Sequence, residues 1–564
     1  MRLRLPYNKA NYKELVDKNY LYVDKTKYIE MLEDDLDITD GLFLRPRRFG
    51  KSLFLSTLYY YYDINQKSEF NHLFKGTYIG NNPTKEVNSF YILRFNFSVI
   101  DASNKTKLLD NFNVHVRDMI VDFKAKYNLD ISFEITDSPG GTLSSFLTAL
   151  KNITGKKLII LIDEYDHFTN DILNDKDFFN DITGADGFVR SFYTTMKANR
   201  EDGCLAKVIL TGVSAILLDS LTSGANNITN YSMHHRFNEL FGFTEAEIVN
   251  MMKKLDESNV LAIPNKDVIL NDLEYKYNGY LFSKLGVGNR VFNSNLVNWY
   301  LSEYIENGRP PRTTKGTNIL SDDKKIVAML DLYHNVENRE RIITQIITTG
   351  EIEASYIDSF ELGKQLDEEQ FKHLLYYLGV LTIGSATDDG NFILKVPNKV
   401  TEDIFYDTLK RYLKRQYQLD NISDKTRNAV KNFIDTRDLT ELNKVLESEF
   451  SNIPKEGFSG FNENTLQVAY YLAFNEYKDI EVKLEETING GRADLIIRHD
   501  NSKAIMEFKY LSNSKYNEAE FETKKLEGIK QLNQYVDGYD GKVDGYLVFF
   551  VGSECKLCEI VVSK

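Results

Sequence analysis

Cysteine is scarce in this chain, three among 564 residues. That is too few for a disulfide framework and suits a reducing compartment. Proline is nearly as rare, at nine, so the composition holds neither a polyproline spacer nor a Pro-rich disordered tail. A basic excess is absent too: 69 Lys and Arg stand against 83 Asp and Glu, giving a net charge of −14. Any contact with a polyanion must therefore come from local patches, not from the global field. Long apolar runs are also missing. The most apolar stretches, such as LIILI at 158–162, fall far short of the roughly 20 residues a membrane-spanning helix needs. The start, MRLRLPYNKANYKEL, has no apolar signal-peptide core. A soluble, unexported, cytoplasmic protein without a membrane partner is the expectation. Tyr and Phe, at 35 each, and a hydrophobic content of 42% supply bulk for several cores, and a prior of about 150 residues per domain suggests three or four units.

The stretch GLFLRPRRFGKSLFLSTLYYYY, residues 41–62, reads as a strand, a turn and a helix. A phosphate-binding loop needs that order, because glycines let backbone N–H groups face phosphate oxygens at a helix N-terminus. Gly50, Lys51 and Ser52 supply the second half of such a loop, with Lys51 suited to the β/γ-phosphates and Ser52 to Mg²⁺. Arg45, Pro46, Arg47 and Arg48 replace the flexible first half with a stiff cationic one. Alone, Gly-Lys-Ser is also compatible with an ordinary helix start, so the downstream strands carry the argument. KKLIILIDEYDHF is a buried strand ending in two acids. Asp163 is placed to hold Mg²⁺ and Glu164 to polarise an attacking water. SFYILRFNFS at 89–98 and LAKVILTGVS at 205–214 read as two more strands, the latter tipped by Thr211 and Ser214, polar groups suited to sensing a γ-phosphate. Helical stretches between them predict a parallel sheet of the ASCE type, in which an added strand separates the phosphate loop from the acidic strand. Arg190, Lys197 and Arg236 are weaker candidates for phosphate or trans-acting contacts, since solvated or salt-bridged roles account for them equally simply.

Residues 231–315 read as a helical lid with a turn-rich insert, YKYNGYLFS. Farther on, a helix, LTIGS, a DDG turn, NFILKVP and a closing helix suggest a winged-helix-like module within 316–450. Lys395, Lys399, Lys410, Arg411, Lys414 and Arg415 place positive charge around it, which fits either a DNA contact or a spacer with a solvated basic face.

The sharpest chemistry lies in GGRADLIIRHDNSKAIMEFKYL, 490–511. Two β-rich runs flank His499-Asp500-Asn501-Ser502, read as a four-residue hairpin loop, so that Arg498 pairs with Lys503 and Asp494 falls opposite Glu507. Facing carboxylates destabilise a sheet unless a cation lies between them, and Mg²⁺ favours one or two carboxylates with water and phosphate. Lys509 shares the face of Glu507. The pattern fits a metal-dependent phosphodiester cleavage site. Glu463, near the start of the preceding helix, offers a third carboxylate, and Gln531 and Tyr535, four apart on a following helix, could support the lysine or a nucleic-acid backbone. Cys555 and Cys558 form a single C-x2-C with no second pair, so no structural zinc is expected.

YLYVDKTKYIEML, RPRRFGKSL, LIDEYD, SFYTTMK and LTGVS, followed by GRADLIIR, IMEFKY and QLNQY, resemble the bacterial AAA-ATPase-like proteins that carry a C-terminal PD-(D/E)XK nuclease domain. The resemblance spans about 1–290 and 455–564, and in that family the loop itself commonly reads RPRRFGKS. It implies an α/β P-loop domain (1–230), the lid, the winged-helix-like region and a restriction-endonuclease-like α/β domain (451–564). It further implies ATP held by Arg45, Arg47, Arg48, Gly50, Lys51, Ser52, Asp163 and Thr211. Asp494, Glu507 and Lys509 take the nuclease positions, joined by Glu463 and Gln531, with Mg²⁺ or Mn²⁺ on Asp494 and Glu507. The partner implied is nucleic acid, DNA before RNA, and a homo-oligomer is compatible. The alternative is a nucleotide-dependent switch whose last domain binds nucleic acid without cutting it.

Overall fold

The computed structural model describes the chain except residues 1–2, 103, 156, 172–175, 185, 202, 218–227, 259, 261–265, 312–332, 334, 356–365, 406–407, 409–410, 412–421, 453–460, 476, 478–479, 490, 500–501 and 539–540. It divides into two compact units, 1–332 with 353–403, and 333–352 with 404–564.

In the first unit, strands β1 (Asp40–Leu44), β2 (Tyr91–Asn96), β3 (Leu158–Asp163), β4 (Leu205–Gly212) and β5 (Thr229–Asn230) form one sheet in the order β2-β3-β4-β1-β5. All its pairings are parallel. The unbroken apolar runs follow from this, since a parallel sheet covered on both faces has no solvent side to mark with alternation. Helices α1 (Lys51–Tyr62), α2 (Lys105–Tyr127), α3 (Pro139–Ile153) and α4 (Phe188–Glu201) make the crossovers. As expected, β4 separates the phosphate-loop strand β1 from the acidic strand β3, so loop and acids meet at the carboxyl edge.

The region read as a lid holds three helices among the described residues, α5 (Glu245–Glu257), α6 (Lys266–Tyr277) and α7 (Ser294–Asn307). Thr244 and Glu247 form a reciprocal capping box at the start of α5, which satisfies two otherwise orphaned N–H groups. Beyond the lid a three-stranded sheet, in the order β6-β8-β7, is built from β6 (Glu351–Ala354), β7 (Thr382–Ala386) and β8 (Phe392–Lys395), with α8 (Glu368–Tyr377) leading into β7.

This hairpin is clamped by the segment 278–292. Thr382 Oγ1 accepts from Leu281 N at 2.7 Å and donates to Leu281 O at 3.1 Å. The Arg290 guanidinium donates to Gly279 O, Ile383 O and Gly384 O at 2.7, 3.2 and 2.9 Å. Its tip carries Asp388 and Asp389, which repel phosphate, and Lys399 is engaged by Glu402 and Asp403. Lys410, Lys414 and Arg415, which completed the basic patch expected from the sequence, lie outside the described residues.

The second unit centres on a mixed sheet in the order β13-β12-β11-β10-β9. Helix α9 (Glu463–Phe474) precedes β9 (Glu481–Ile488), β10 (Gly491–His499) and β11 (Ser502–Leu511), and α10 (Glu518–Asp537) leads to β12 (Lys542–Val551) and β13 (Glu554–Ser563). β11 and β12 are parallel and the other neighbours antiparallel. Alternation then sorts the faces. Phe508 packs on Tyr470 of α9, while Ile496, Ile505 and Leu547 pack with Leu532, Tyr535 and Val536 of α10. Among the described residues no helix is long and apolar enough to cross a membrane.

Gly279 tests the clamp. Its φ is +102° and a Cβ there would stand 2.1 Å from Pro397 O, so Gly279→Ala meets both backbone strain and a backbone clash. We expect it to cost at least about 2 kcal/mol, read as a lowered Tm of the full chain.

Candidate functional site: a phosphate loop and a hairpin of carboxylates

Gly50, the N-cap of α1, sits at φ 98°, a conformation that favours glycine, and Arg48 is left-handed as well, at 71°. The loop between β1 and α1 is held by partners on every side. Lys51 Nζ donates to Arg45 O and Pro46 O at 2.9 and 3.1 Å. Burial lowers the Lys51 pKa, opposed by the charges of Glu164, Asp163 and Asp166. The start of α7 supplies the rest: Asn293 Nδ2 donates to Arg47 O at 3.2 Å, and Ser294 Oγ and Asn295 N donate to Arg48 O at 3.1 and 3.2 Å.

Arg45 departs from the expectation. Its guanidinium does not point toward a phosphate but lies in the core, where it donates to Leu44 O, Ser232 O and Phe237 O at 2.8, 2.5 and 2.9 Å. It also rests 4.1 Å over the Phe282 ring. Burial pushes its pKa down to about 10, still charged at neutral pH. Arg45 thus pins the loop and is removed from the set of nucleotide ligands.

A cavity of about 300 Å³ opens against the loop. Arg48, Gly50, Lys51, Ser52 and Glu164 are among the residues that line it, together with the N-terminal segment, Leu240, Phe243 and α7. Arg47, Asp163 and Thr211 do not line it. At the end of β3, Asp163 Oδ1 accepts from Thr211 Oγ1 at 2.7 Å and from Glu164 N at 3.1 Å. Glu164 itself has φ 53°, left-handed for a residue with a side chain and therefore strained.

The second polar tip, Ser214, is engaged by a residue the sequence reading passed over. Buried Asp166 accepts from Val213 N, Ser214 N and Ser214 Oγ at 3.1, 2.7 and 2.7 Å. The signal was the last acid of DEYD beside the small polar residues of LTGVS, two motifs that turn out to bind each other.

In the second unit the expected register holds, with Arg498 opposite Lys503. The loop is shorter than expected, because His499 also pairs with Ser502. Toward the other end the ladder stops at Leu495 opposite Met506. Past that point carboxylates take over the N–H groups of β11: Phe508 N donates to Asp494 Oδ2 at 2.7 Å and Tyr510 N to Glu463 Oε1 at 3.2 Å. Asp494 lies two residues from Ile496, and Glu507 two from Ile505. Both carboxylates therefore share the α10 face with Lys509.

Lys509 Nζ donates to Glu507 Oε1 at 2.7 Å, both side chains being buried. Burial, then the charge of Glu507, raises the Asp494 pKa well above its ordinary value. Burial raises that of Glu507 against the pull of Lys509. For Lys509 burial acts downward, but Glu507, Glu463 and Asp494 together carry its pKa above the usual value.

Glu507 Oε2 is buried and without a hydrogen-bond partner. An anionic oxygen so placed is what a bound cation satisfies, and two carboxylates with water and phosphate suit Mg²⁺. Among the described residues no three His, Cys, Asp or Glu side chains converge into an all-protein metal cage. Glu463 is close enough to act electrostatically on this pair, and it also accepts from Lys524 Nζ at 2.8 Å. Lys524, which the sequence reading did not single out, shares a helical stripe with Gly528, Gln531 and Tyr535. Gly528 lets the helix lie close, since a Cβ there would stand 2.5 Å from Leu547 Cδ1 and 3.5 Å from Lys509 Cε. The Tyr535 hydroxyl donates to Arg492 O at 2.8 Å, and Gln531 lies one turn before it on the same stripe. Cys555 and Cys558 are free thiols, and burial pushes Cys558 up to about 11.

Residues 6–222 match the model of the predicted AAA-ATPase family and residues 461–562 that of the PD-(D/E)XK nuclease superfamily. A protein from the vnfD 5′ region of Azotobacter chroococcum mcd 1 is 23% identical over 510 residues, covering 87% of this chain and 86% of that protein. A Walker-type ATPase of Pyrococcus abyssi aligns over 68% of this chain and 94% of its own, with a TM-score of 0.38 and 14% identity. The ORC2 protein of Aeropyrum pernix, in its ADPNP and ADP complexes, aligns over 72% and 98%, with a TM-score of 0.34 and 9% identity. Two stretches of the chain are thus similar to known families, the first to the predicted AAA-ATPase model and the second to the PD-(D/E)XK nuclease superfamily model.

Proposed function

We propose that the chain is a nucleotide-regulated, Mg²⁺-dependent nuclease that binds and hydrolyses ATP in its first unit and cleaves phosphodiester bonds of nucleic acid, DNA before RNA, in its second. The observation that carries this reading is the buried Asp494, Glu507 and Lys509 cluster, with an unpartnered Glu507 oxygen. Asp494 and Glu507 would hold the divalent ion, which when bound supplies a Lewis acid at the phosphate and a water of lowered pKa. Lys509, held protonated by its neighbours, is suited to donating to the attacking water and neutralising charge on the phosphate, and unsuited to accepting a proton. Glu463, tied to Tyr510 N and Lys524, positions the outer edge of the site.

In the first unit Lys51 and Ser52 are the phosphate and Mg²⁺ residues at the cavity, backed by Asp163, with Thr211 fixing the Asp163 carboxylate. Glu164, facing the cavity, is the group to orient a water. Arg48 lines the same cavity and offers a cation to the phosphates.

Cleavage of single- and double-stranded DNA and RNA with Mg²⁺ or Mn²⁺ should fall at least about 10²-fold in Asp494→Ala and in Lys509→Ala. Retained nucleic-acid binding without cleavage under either metal, with or without ATP, would overturn the nuclease and leave a binding switch.

Lys51→Ala is expected to weaken ATP binding by about tenfold or more, measured by titration calorimetry. Glu164→Gln should keep the affinity and lose turnover. Unchanged affinity in the lysine variant rules out the phosphate cradle.

The raised carboxyl pKa values give a pH signature. A carboxyl whose folded pKa exceeds its unfolded value contributes stability below the unfolded pKa, and that contribution is lost as pH rises through the folded one. Lys509, raised from an already high value, contributes evenly across this window. In the absence of divalent ions, the Tm of Asp494→Asn minus that of the wild type should grow from pH 4.5 to pH 8, and adding Mg²⁺ should shrink it. A difference that stays flat with pH would show that the pair carries no such cost.

A further inference from the structure

Helix α7 does more than cap the loop. Its first turn holds Arg47 O and Arg48 O, and Asn295 exchanges two hydrogen bonds with Asn8 of the N-terminal segment, Asn8 N to Asn295 Oδ1 at 3.0 Å and Asn295 Nδ2 to Asn8 Oδ1 at 2.9 Å. One turn beyond Ser294, and so on the same helix face, Asn298 lines the same cavity as Gly50, Lys51 and Ser52. Only 5% of Asn298 is exposed, and its side-chain Oδ1 is buried with no hydrogen-bond partner.

A buried amide oxygen left unpaired is costly, and native proteins rarely tolerate one without a reason. The cavity supplies one. Phosphates would sit at Gly50 and Lys51. The lining also includes Leu15, Leu21, Val23, Leu240 and Phe243, whose apolar character suits a planar base. Rotation about the last side-chain torsion of Asn is soft, so a donor entering the cavity can meet this oxygen.

We propose that Asn298 reads the base of the bound nucleotide, its amide oxygen accepting a hydrogen bond from the exocyclic 6-amino group of adenine. The proposal rests on the nucleotide-binding reading of the Lys51 loop and adds the residue that makes the cavity prefer adenine. Ligand binding relieves the oxygen, so Asn298 is a specificity residue whose cost falls on the empty protein.

The experiment compares ATP with purine riboside triphosphate, which lacks only the 6-amino group, by calorimetric titration of the full chain. The wild type should bind ATP about tenfold more tightly, and Asn298→Ala should bring the two affinities together by weakening ATP alone. 2′-Deoxy-ATP should follow ATP in both proteins. Without nucleotide, Asn298→Ala should melt no lower than the wild type, because it removes an unpaired group.

An unchanged ratio in Asn298→Ala overturns the proposal. So does a loss seen with ATP but not with 2′-deoxy-ATP, which would assign Asn298 to the ribose hydroxyl. A variant that melts well below the wild type marks a role in the fold instead. Should that variant not fold, the wild type alone decides, since equal affinity for ATP and purine riboside triphosphate overturns the proposal. Wild-type binding of neither nucleotide overturns the cradle reading as well, whereas normal ATP binding with no amine preference overturns Asn298 alone.

Discussion

Backbone N–H and C=O groups that leave a strand must still find partners when they are buried. In both units the side chains that answer this demand are those that line a site. β11 loses its neighbour after Met506, and the next two N–H groups on that edge, those of Phe508 and Tyr510, go to Asp494 and Glu463. The carboxylates are held there by the same bonds a strand would have made. In the first unit the loop after β1 exposes the carbonyls of residues 45–48, and Lys51, Asn293, Ser294 and Asn295 take them. Site geometry and fold integrity are therefore one set of interactions.

How much of this was legible in the sequence depends on the distance between partners. The strand runs, the helices between them and the pairing of Arg498 with Lys503 follow from local pattern, since alternation and turn spacing act over a few residues. The destination of Arg45 does not. Its partners Ser232 and Phe237 lie 187 and 192 positions away, and a motif read in isolation offers its arginines to the ligand by default. The same limit hid Asp166, whose partners sit 47 and 48 residues on, and Lys524, which meets Glu463 at a separation of 61. The basic wing read from composition was weakened by contacts of about 100 residues in separation, which clamp the hairpin to the segment 278–292.

The carboxylate cluster sets stability against chemistry. Burying Asp494 beside Glu507 disfavours ionising both, and Lys509 offsets only part of that, since it bonds one oxygen and leaves Glu507 Oε2 alone. Removing Lys509 would leave buried negative charge without compensation, the more damaging half of a broken ion pair. Its placement two residues from Glu507 on one strand is thus a structural requirement in its own right. That explains why the E-x-K spacing is so readable: alternation alone puts the two side chains on one face, independent of any distant contact.

The phosphate loop reaches a comparable result by rigidity. A glycine-rich loop adapts to a phosphate because its backbone is free, and it loses that freedom on binding. Here Arg45, Pro46, Arg47 and Arg48 replace the glycines, and of the loop's two left-handed positions, Arg48 and Gly50, only the second is a glycine. The loop is instead set by the buried guanidinium on three carbonyls and by α7 on two more. Arg48 at φ 71° and Glu164 at φ 53° hold conformations that cost free energy and persist because the surrounding bonds over-determine them. With the loop ordered before any ligand arrives, less ordering entropy remains to be lost on binding, and a shift of α7 would be felt directly at Arg47 and Arg48. The loop and the helix that helps line the cavity are therefore tied by direct hydrogen bonds.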